Sequence, residues 1–191
     1  MNARETRPGP SLKLSLTILF VVIASVLVIL LLRNGRDSTT TTTRQVQVGF
    51  PAPNFALPDL NGQQVGLADH RGKVVLVNIW STWFTPCRQE MPSMQKLYEK
   101  FKGENFEILA VSIDSTGSEA VAPFIRTMNL TFPVLLDPKE DIRPLYGITG
   151  VPESFIIDKE GTVVEKIIGP IDWATPKAFQ FFQDLMNKPR S

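Results

Sequence analysis

The sequence is poor in the two side chains that most often build redox and metal centres. Cys87 is its one cysteine and His70 its one histidine, among 191 residues. A single cysteine excludes a disulfide within the chain, but it leaves open a mixed disulfide with another protein or a disulfide-linked dimer. A metal site with several Cys and His ligands has too few residues to draw on. We therefore expect neither a metal nor another cofactor.

The sequence also lacks an excess of either charge. Lys and Arg together number 20 and Asp and Glu number 19, which gives a formal net charge of +1. Proteins that bind nucleic acids usually show a basic excess or a basic stripe, so we expect no nucleic-acid partner. Hydrophobic residues make up 43% of the chain. That content and the length fit one ordinary folded domain with additional segments.

The N-terminal part contains a long apolar run, at residues 14–32, without a charged side chain. At about 1.5 Å per helical residue, the run matches the roughly 30 Å of a bilayer core. It is longer than the apolar region of a cleaved signal peptide, which is about 7–15 residues. Its lack of a polar face argues against a core helix of the folded domain. We predict one uncleaved transmembrane signal anchor.

The orientation of this anchor follows from the basic residues at its two ends. Slightly more of them precede the run than follow it, which favours a cytoplasmic N-terminus. We therefore predict a short cytoplasmic segment at residues 1–13. The C-terminal domain then lies outside the inner (cytoplasmic) membrane, which is the periplasm in a Gram-negative bacterium. The predicted localisation is a single-pass protein of that membrane.

A change of composition separates the anchor from the domain. Residues 33–48 include five consecutive threonines at 39–43 and have no apolar period. Such a segment is typical of a disordered linker, although threonine also tolerates the extended backbone of a short stalk. The folded domain is predicted at residues 49–191.

Apolar patterns within this domain predict strands that alternate with helices. Strands are predicted at residues 74–80, 106–113 and 132–136, helices at 86–102, 117–128 and 172–186, and a hairpin at 154–157 and 162–168. The near-continuous apolar run at 74–80 is typical of a strand buried on both faces of a sheet. Alternating strands and helices indicate an α/β fold whose sheet is covered by helices. The final hairpin makes the predicted sheet mixed.

Two local features of the domain carry chemistry. Cys87 directly follows the predicted strand at 74–80, in the first turn of the next helix. A helix N-terminus lowers the pKa of a thiol, whereas apolar burial raises it, and an inert buried thiol is the third reading. Pro152 follows Gly150 and Val151 just before a strand. It fits either a cis peptide bond or an ordinary strand start.

Several motifs resemble, in order and spacing, the TlpA/ResA/CcmG group of membrane-anchored thioredoxin-like proteins in the AhpC/TSA redoxin superfamily. They read GKVVLVNIW-STWFTPCRQEMP, FEILAVSID, FPVLLDP and YGITGVPESFIIDKEG. The resemblance covers residues 49–186. It implies a thioredoxin-like fold, with a mixed central sheet flanked by helices and preceded by one transmembrane helix. It also implies thiol–disulfide exchange outside the cytoplasm with client protein thiols or disulfides, among them apocytochrome c and other envelope proteins.

The family motif W-C-x-x-C matches this sequence at all but one position. Trp83 falls on the tryptophan and Cys87 on the second, inner cysteine, but Phe84 stands where the family has the first, attacking cysteine. Exchange needs one thiolate to attack a disulfide and a second thiol to resolve the mixed disulfide. The chain alone therefore cannot run the two-cysteine cycle. Whether it is a thiol–disulfide oxidoreductase stays open.

The resemblance also assigns the other predicted site residues. Glu90 matches an acidic residue one helical turn after the inner cysteine, and Pro152 matches the cis-proline that faces the cysteines. With Cys87 as the single redox thiol, these three are the predicted catalytic residues. The predicted client-binding residues are Trp83, Phe84, Pro86, Val151, Pro152 and Glu153.

Three functions are compatible with these residues. In the first, Cys87 is a single redox thiol that forms mixed disulfides or is oxidised, and a separate thiol restores it. In the second, the protein is a redox-inactive binding module. Trp83, Phe84 and Pro152 then form a docking lip for an extended client peptide. The third is a peroxiredoxin-like peroxidase, which is disfavoured because Phe84 stands where those enzymes carry threonine. The sequence leaves open whether Phe84 reflects lost activity or a new binding role.

Overall fold

The computed structural model describes residues 23–25 and 46–189. The chain divides into two compact units, Met1–Thr42 and Thr43–Ser191. In the first unit, residues 23–25 are helical and exposed. The rest of the predicted anchor, the cytoplasmic segment and nearly all of the linker lie outside the described residues. Within the described ranges, no helix is both long and apolar enough to cross a bilayer.

The second unit alternates strands and helices, as its sequence pattern predicts. The strands are β1 (Ala56–Pro58), β2 (Gln64–Gly66), β3 (Val74–Trp80), β4 (Phe106–Ser112), β5 (Val134–Leu136), β6 (Glu153–Ile157) and β7 (Val163–Ile168). The α-helices are α1 (Thr85–Phe101), α2 (Ser118–Thr127), α3 (Ile142–Tyr146) and α4 (Pro176–Asn187), and a 3-10 helix spans Leu67–His70.

Five strands form the central sheet, in the order β5-β4-β3-β6-β7. β4 runs parallel to β3 and to β5, whereas β6 runs antiparallel to both β3 and β7. This arrangement confirms the predicted mixed sheet. β3 lies at the centre and every one of its residues is buried, which explains its near-continuous apolar sequence. β1 and β2 form a separate hairpin.

Helices cover both faces of this sheet. Side chains of a strand point alternately to its two faces. On one face, Leu76 and Trp80 of β3 belong to a core cluster with residues of α1, α2 and α4. On the other face, Val77 and Ile79 of β3 belong to a cluster with α3 and the 3-10 helix. We call these the α1 face and the α3 face.

The predicted start of the C-terminal helix is wrong. The periodicity predicts it from residue 172, but α4 begins at Pro176. The Thr175 side chain accepts a hydrogen bond from the Ala178 N–H at 3.1 Å and so caps the helix. Proline is well suited to the first helical position because its missing N–H has no helical partner there. Trp173 therefore lies in the preceding loop, where it is buried.

Candidate functional site

The junction between β3 and α1 places Cys87 at the carboxyl end of the central strand. β3 ends at Trp80, and Phe84 is the extended residue that precedes the first turn of α1. Pro86 occupies the beginning of that turn, where a missing N–H is tolerated. Cys87 follows in the same turn, which confirms its predicted place at the start of a helix.

The Cys87 thiol is deeply buried at this position. Its side chain is 0% exposed and belongs to the core cluster of the α1 face. Burial raises the pKa of Cys87 to about 12; the Ser81 backbone N–H opposes the rise, and the charges of Glu90 and Asp114 add to it. Burial is the largest of these influences, and it acts in the direction that apolar surroundings favour. The thiol is therefore protonated at neutral pH.

Glu90 is a second buried titratable group beside this thiol. It lies three residues after Cys87 on the same face of α1, so the two side chains are neighbours, and it is 3% exposed. The Asn78 side-chain amide donates hydrogen bonds to Glu90 Oε1 and to Ser154 Oγ, both at 2.9 Å. Glu90 Oε2 has no hydrogen-bond partner among the described residues.

The environment of Glu90 makes its charge sensitive to neutral pH. Burial raises the pKa of Glu90 to about 7, and the hydrogen bond from Asn78 opposes this rise. The Trp173 indole and the Ile171 backbone also act to lower this pKa, although the indole N–H makes no hydrogen bond of good geometry within the described chain. Glu90 thus divides between its charged and protonated forms near pH 7.

The predicted docking lip is only partly at the surface. Trp83 is 66% exposed, and its ring meets that of Phe84 edge-on, with 5.8 Å between centroids. Phe84 is half-buried and packs against the core of the α1 face. Pro152 is buried. The exposed apolar surface of the docking lip is therefore contributed by Trp83, with Phe84 behind it.

Asp114 is a site residue that the sequence analysis missed. It follows β4 and is buried, and its carboxylate accepts hydrogen bonds from the Thr82 backbone N–H at 2.9 Å and the Thr82 hydroxyl at 2.6 Å. The Ser112 hydroxyl donates a further bond at 2.7 Å. Asp114 thus ties down the segment that carries Trp83. The available signal was an aspartate placed directly after a buried strand.

The cis-proline segment, residues 149–152, reaches the same end of the sheet as Cys87. The Val151–Pro152 peptide bond is cis, which confirms what the resemblance implies. β6 runs antiparallel to β3 and pairs Glu153 with Ile79, so Pro152 lies at the carboxyl end of β3. The Pro152 carbonyl accepts a hydrogen bond from the Gly169 N–H at 2.9 Å. Val151 is half-buried and packs against the cores of both faces.

Glu153, a predicted client-binding residue, is not brought together with Cys87. Ser154 pairs with Asn78 on the α1 face, and neighbouring residues of a strand point to opposite faces. Glu153 therefore lies on the α3 face, where it is 0% exposed. Because it is fully enclosed there, its side chain has no surface that a client could touch.

The described residues contain no candidate metal centre. Within residues 23–25 and 46–189, no group of three or more His, Cys, Asp and Glu side chains is placed so that it could hold a metal ion.

Comparison with known proteins identifies the family of this fold and site. Residues 48–166 match the model of the AhpC/TSA family. The chain belongs to this family. The thiol-disulfide oxidoreductase ResA of Bacillus thuringiensis (strain Al Hakam) is 46% identical over 125 residues, which are 65% of this chain and 72% of the relative. ResA of Bacillus subtilis (strain 168) is 38% identical over 124 residues, 65% of this chain and 69% of the relative.

Solved structures of thioredoxin-like proteins are similar to this chain in fold. The thioredoxin domain of a thiol-disulfide oxidoreductase from Bacteroides vulgatus has a TM-score of 0.65 and 28% identity, and the match covers 75% of this chain and 100% of that one. StoA from Bacillus subtilis has a TM-score of 0.57 and 25% identity, over 69% of this chain and 95% of that one. The thioredoxin-like fold and membership of the TlpA/ResA/CcmG-like group are thereby confirmed.

Proposed function

We propose that the protein is a membrane-anchored, extracytoplasmic member of the thiol–disulfide oxidoreductase family that works as a binding protein. It holds cysteine-containing client polypeptides at its docking lip and does not run the two-cysteine cycle. The observation that carries this proposal is a contrast of exposure. The Cys87 thiol is 0% exposed, whereas Trp83, four residues before it, is 66% exposed. The site presents an aromatic surface and encloses its thiol.

The state of Cys87 explains why binding is favoured over turnover. Exchange begins with a thiolate, and a pKa raised by burial to about 12 leaves very little thiolate at pH 7. The chain has no second cysteine to resolve a mixed disulfide. The ordinary cycle is therefore blocked at both of its steps.

The surroundings of the docking lip fit an extended peptide. An exposed tryptophan supplies apolar contact area at a small entropic cost. The cis-proline segment reaches the same end of the sheet, and a peptide that lies extended beside it can use main-chain hydrogen bonds. The client class follows from the thiol–disulfide oxidoreductase names of the relatives and from the resemblance, which points to apocytochrome c or another envelope protein with reduced cysteines.

The proposed location rests on the N-terminal sequence. An uncharged run of membrane-spanning length at residues 14–32 and the basic residues before it support a single-pass anchor with the domain outside the inner membrane. A client that crosses this membrane unfolded would meet the domain in an extended state.

Alkylation of Cys87 in the full-length protein tests the proposal. We expect a thiol-specific reagent to modify the folded protein slowly at pH 7 and rapidly once the protein is unfolded in denaturant. A fluorescent peptide with one cysteine flanked by apolar residues should bind the native protein, and Trp83→Ala should weaken binding at least tenfold. Rapid alkylation at neutral pH, or unchanged binding by Trp83→Ala, would contradict the binding role.

A second candidate is a single-thiol redox protein, which the position of Glu90 favours. If the docking lip opened, the Glu90 carboxylate could accept the proton of the Cys87 thiol. The resulting thiolate would attack a client disulfide. One new S–S bond forms to Cys87, the client S–S bond breaks, and the departing client sulfur leaves as a thiolate that takes up a proton. A separate thiol must then release the client. Stable mixed disulfides with an oxidised peptide would favour this candidate.

The peroxidase alternative has the weakest support. It needs a reactive thiolate, which a pKa raised by burial does not supply. It also needs an arginine near the sulfur. The neighbouring Arg88 is exposed and its guanidinium lies over the Phe124 ring, 5.9 Å from the centroid. Rapid formation of sulfenic acid at Cys87 by dilute hydrogen peroxide would restore this alternative.

A further inference from the structure

Three hydrogen bonds from the cis-proline segment converge on one oxygen of Glu153. The Thr149 backbone N–H and hydroxyl donate to Glu153 Oε1 at 2.8 and 2.7 Å, and the Gly150 N–H donates to the same atom at 3.1 Å. Thr149 is exposed and Gly150 is half-buried. Without this carboxylate, the two amides would depend on solvent for their hydrogen bonds.

The surroundings of Glu153 favour its ionised form in spite of its burial. Burial alone would raise its pKa, but the bonds from Thr149 and Gly150 and the positive charge of Lys166 together lower it. Lys166 Nζ lies 3.3 Å from Glu153 Oε2. The same Nζ is held over the Phe155 ring, 5.2 Å from its centroid. A charged acceptor strengthens each of the three bonds it receives.

The position of these contacts connects Glu153 to the site. Glu153 is the first residue of β6 and directly follows Pro152. Its carboxylate holds the beginning of the cis-proline segment, and the Gly169 N–H holds the Pro152 carbonyl at the other end. The segment is thus fixed at two points. Val151 lies between these two points, at the carboxyl end of β3.

We propose that Glu153 is a positioning residue, which fixes the cis-proline segment from the opposite face of the sheet so that an extended client can pair with it. This role replaces the direct client contact that the sequence predicts for Glu153. It rests on the proposed client-binding function, but the hydrogen bonds from Thr149 and Gly150 can be tested without any client.

Substitutions at Glu153 separate this role from a merely structural one. Glu153→Gln keeps an oxygen that can accept the two amide bonds, whereas Glu153→Ala removes it. Glu165→Gln is the matched control, because Glu165 is exposed on the neighbouring strand β7. Amide hydrogen exchange at Thr149 and Gly150 and affinity for the fluorescent single-cysteine peptide are measured in the full-length protein, relative to exchange at core amides of β3.

We expect Glu153→Ala to speed hydrogen exchange at both amides at least tenfold, with unchanged exchange in β3. It should also lower the affinity for the peptide at least fivefold. Glu153→Gln should restore both properties to within about threefold of the original protein. Unchanged exchange at Thr149 and Gly150 in Glu153→Ala would overturn the positioning role.

Two further outcomes keep the two proposals distinguishable. If exchange at Thr149 and Gly150 rises but the original protein does not bind the peptide, the hydrogen bonds stand and the client-binding function fails. If exchange rises and peptide affinity is unchanged, Glu153 has no positioning role. Should Glu153→Ala fail to fold, Thr149→Val removes one donor at an exposed residue. Thr149→Val must then lower the affinity for the peptide while hydrogen exchange in β3 stays unchanged. If it does not, the proposal is wrong.

Discussion

At the scale of single residues, position 84 decides which chemistry the domain can perform. Phe84 stands where the family motif carries the attacking cysteine, whereas Cys87 is itself buried. Phe84 packs against the core of the α1 face, and the buried Cys87 has no second thiol with which to form a disulfide. The neighbouring features of an exchange site are nevertheless present, namely the start of α1, the acidic Glu90 and the cis Pro152. This combination predicts that a single substitution can recover exchange.

The first prediction is that Phe84→Cys creates a disulfide reductase. Positions 84 and 87 span the first turn of α1, so their sulfurs can reach disulfide geometry. We expect an oxidised form two mass units lighter and catalysed reduction of a protein disulfide by dithiothreitol. Phe84→Ser, which removes the ring without adding a thiol, is the control. A variant that keeps both thiols reduced under oxidant would count against the family's motif at residues 83–87.

The second prediction concerns Glu90 and the pH dependence of stability. The folded-state pKa of about 7 exceeds the usual value, so between about pH 4.5 and 7 the folded protein holds a proton that the unfolded chain has released. Stability must therefore fall as the pH rises through this window, by about 3 kcal/mol from this group. Glu90→Gln should remove that dependence. Chemical denaturation of both proteins at pH 4.5 and 7.5 measures the difference.

A related result is expected at the thiol. The charge of Glu90 contributes to the raised pKa of Cys87, so Glu90→Gln should move the alkylation profile of Cys87 to lower pH. Glu104→Gln, at an exposed turn before β4, should leave both the alkylation profile and the stability difference unchanged. A Glu90→Gln protein that keeps the original dependence of stability on pH would show that Glu90 titrates normally.

At the scale of elements, the strongest sequence patterns predict the structure well. The sequence predicts β3, β4 and α1 to within a residue or two. The apolar runs of the two strands and the helical period of α1 are long enough to be recognised. α3 was not predicted, since its five residues are too few for a period to be read. The start of α4 was misplaced because Trp173 continues the apolar pattern into a loop that the Thr175 cap excludes from the helix.

The site could be predicted in part. The family motif places Cys87, Phe84 and Trp83 correctly on the chain, but it carries no information on exposure. The burial of Cys87 arises from tertiary packing against strands and helices distant in sequence. The motif beside Pro152 predicts client binding for Glu153, but a motif does not say to which face of a sheet a strand residue points, and Glu153 lies on the α3 face. Asp114 was missed because its partner Thr82 lies 32 positions away.

The third prediction tests how the loops at the ends of strands are held together. Asp114→Ala leaves the Thr82 N–H and two hydroxyls without their charged acceptor. We expect the free energy of unfolding to fall by about 3 kcal/mol and amide exchange at Thr82 to accelerate more than exchange in β3. Glu104→Gln again serves as the control. If Asp114→Ala keeps the exchange rate of Thr82, the carboxylate does not hold this segment.

At the scale of the whole molecule, the central sheet brings the site together from distant parts of the sequence. The carboxyl ends of β3 and β4 carry the segment with Trp83 and the buried Asp114, and the antiparallel β6 begins at the same end with Pro152. Because β3 and β4 are parallel and β6 is antiparallel to β3, the three loops lie at the same end of the sheet. This mixed order is what allows one buried thiol, one exposed tryptophan and one cis-proline to lie at one site.

The last prediction concerns the N-terminal run and the side of the membrane that the domain occupies. Residues 14–32 carry no charge, and on insertion scales each lysine or arginine at the centre of such a helix costs about 2.5–3.5 kcal/mol. We expect the full-length protein to remain in the membrane fraction after alkaline extraction. Protease added outside cells whose outer layers have been removed should cleave the domain. Two lysines in place of Ala24 and Ser25 should abolish insertion, whereas two leucines should preserve it.

A full-length protein found in the soluble fraction would contradict the anchor. A domain that resists external protease until the membrane is dissolved would contradict its orientation. If the domain resists external protease, the client-binding role would have to be sought on the cytoplasmic side, where most cysteines of partner proteins are kept reduced.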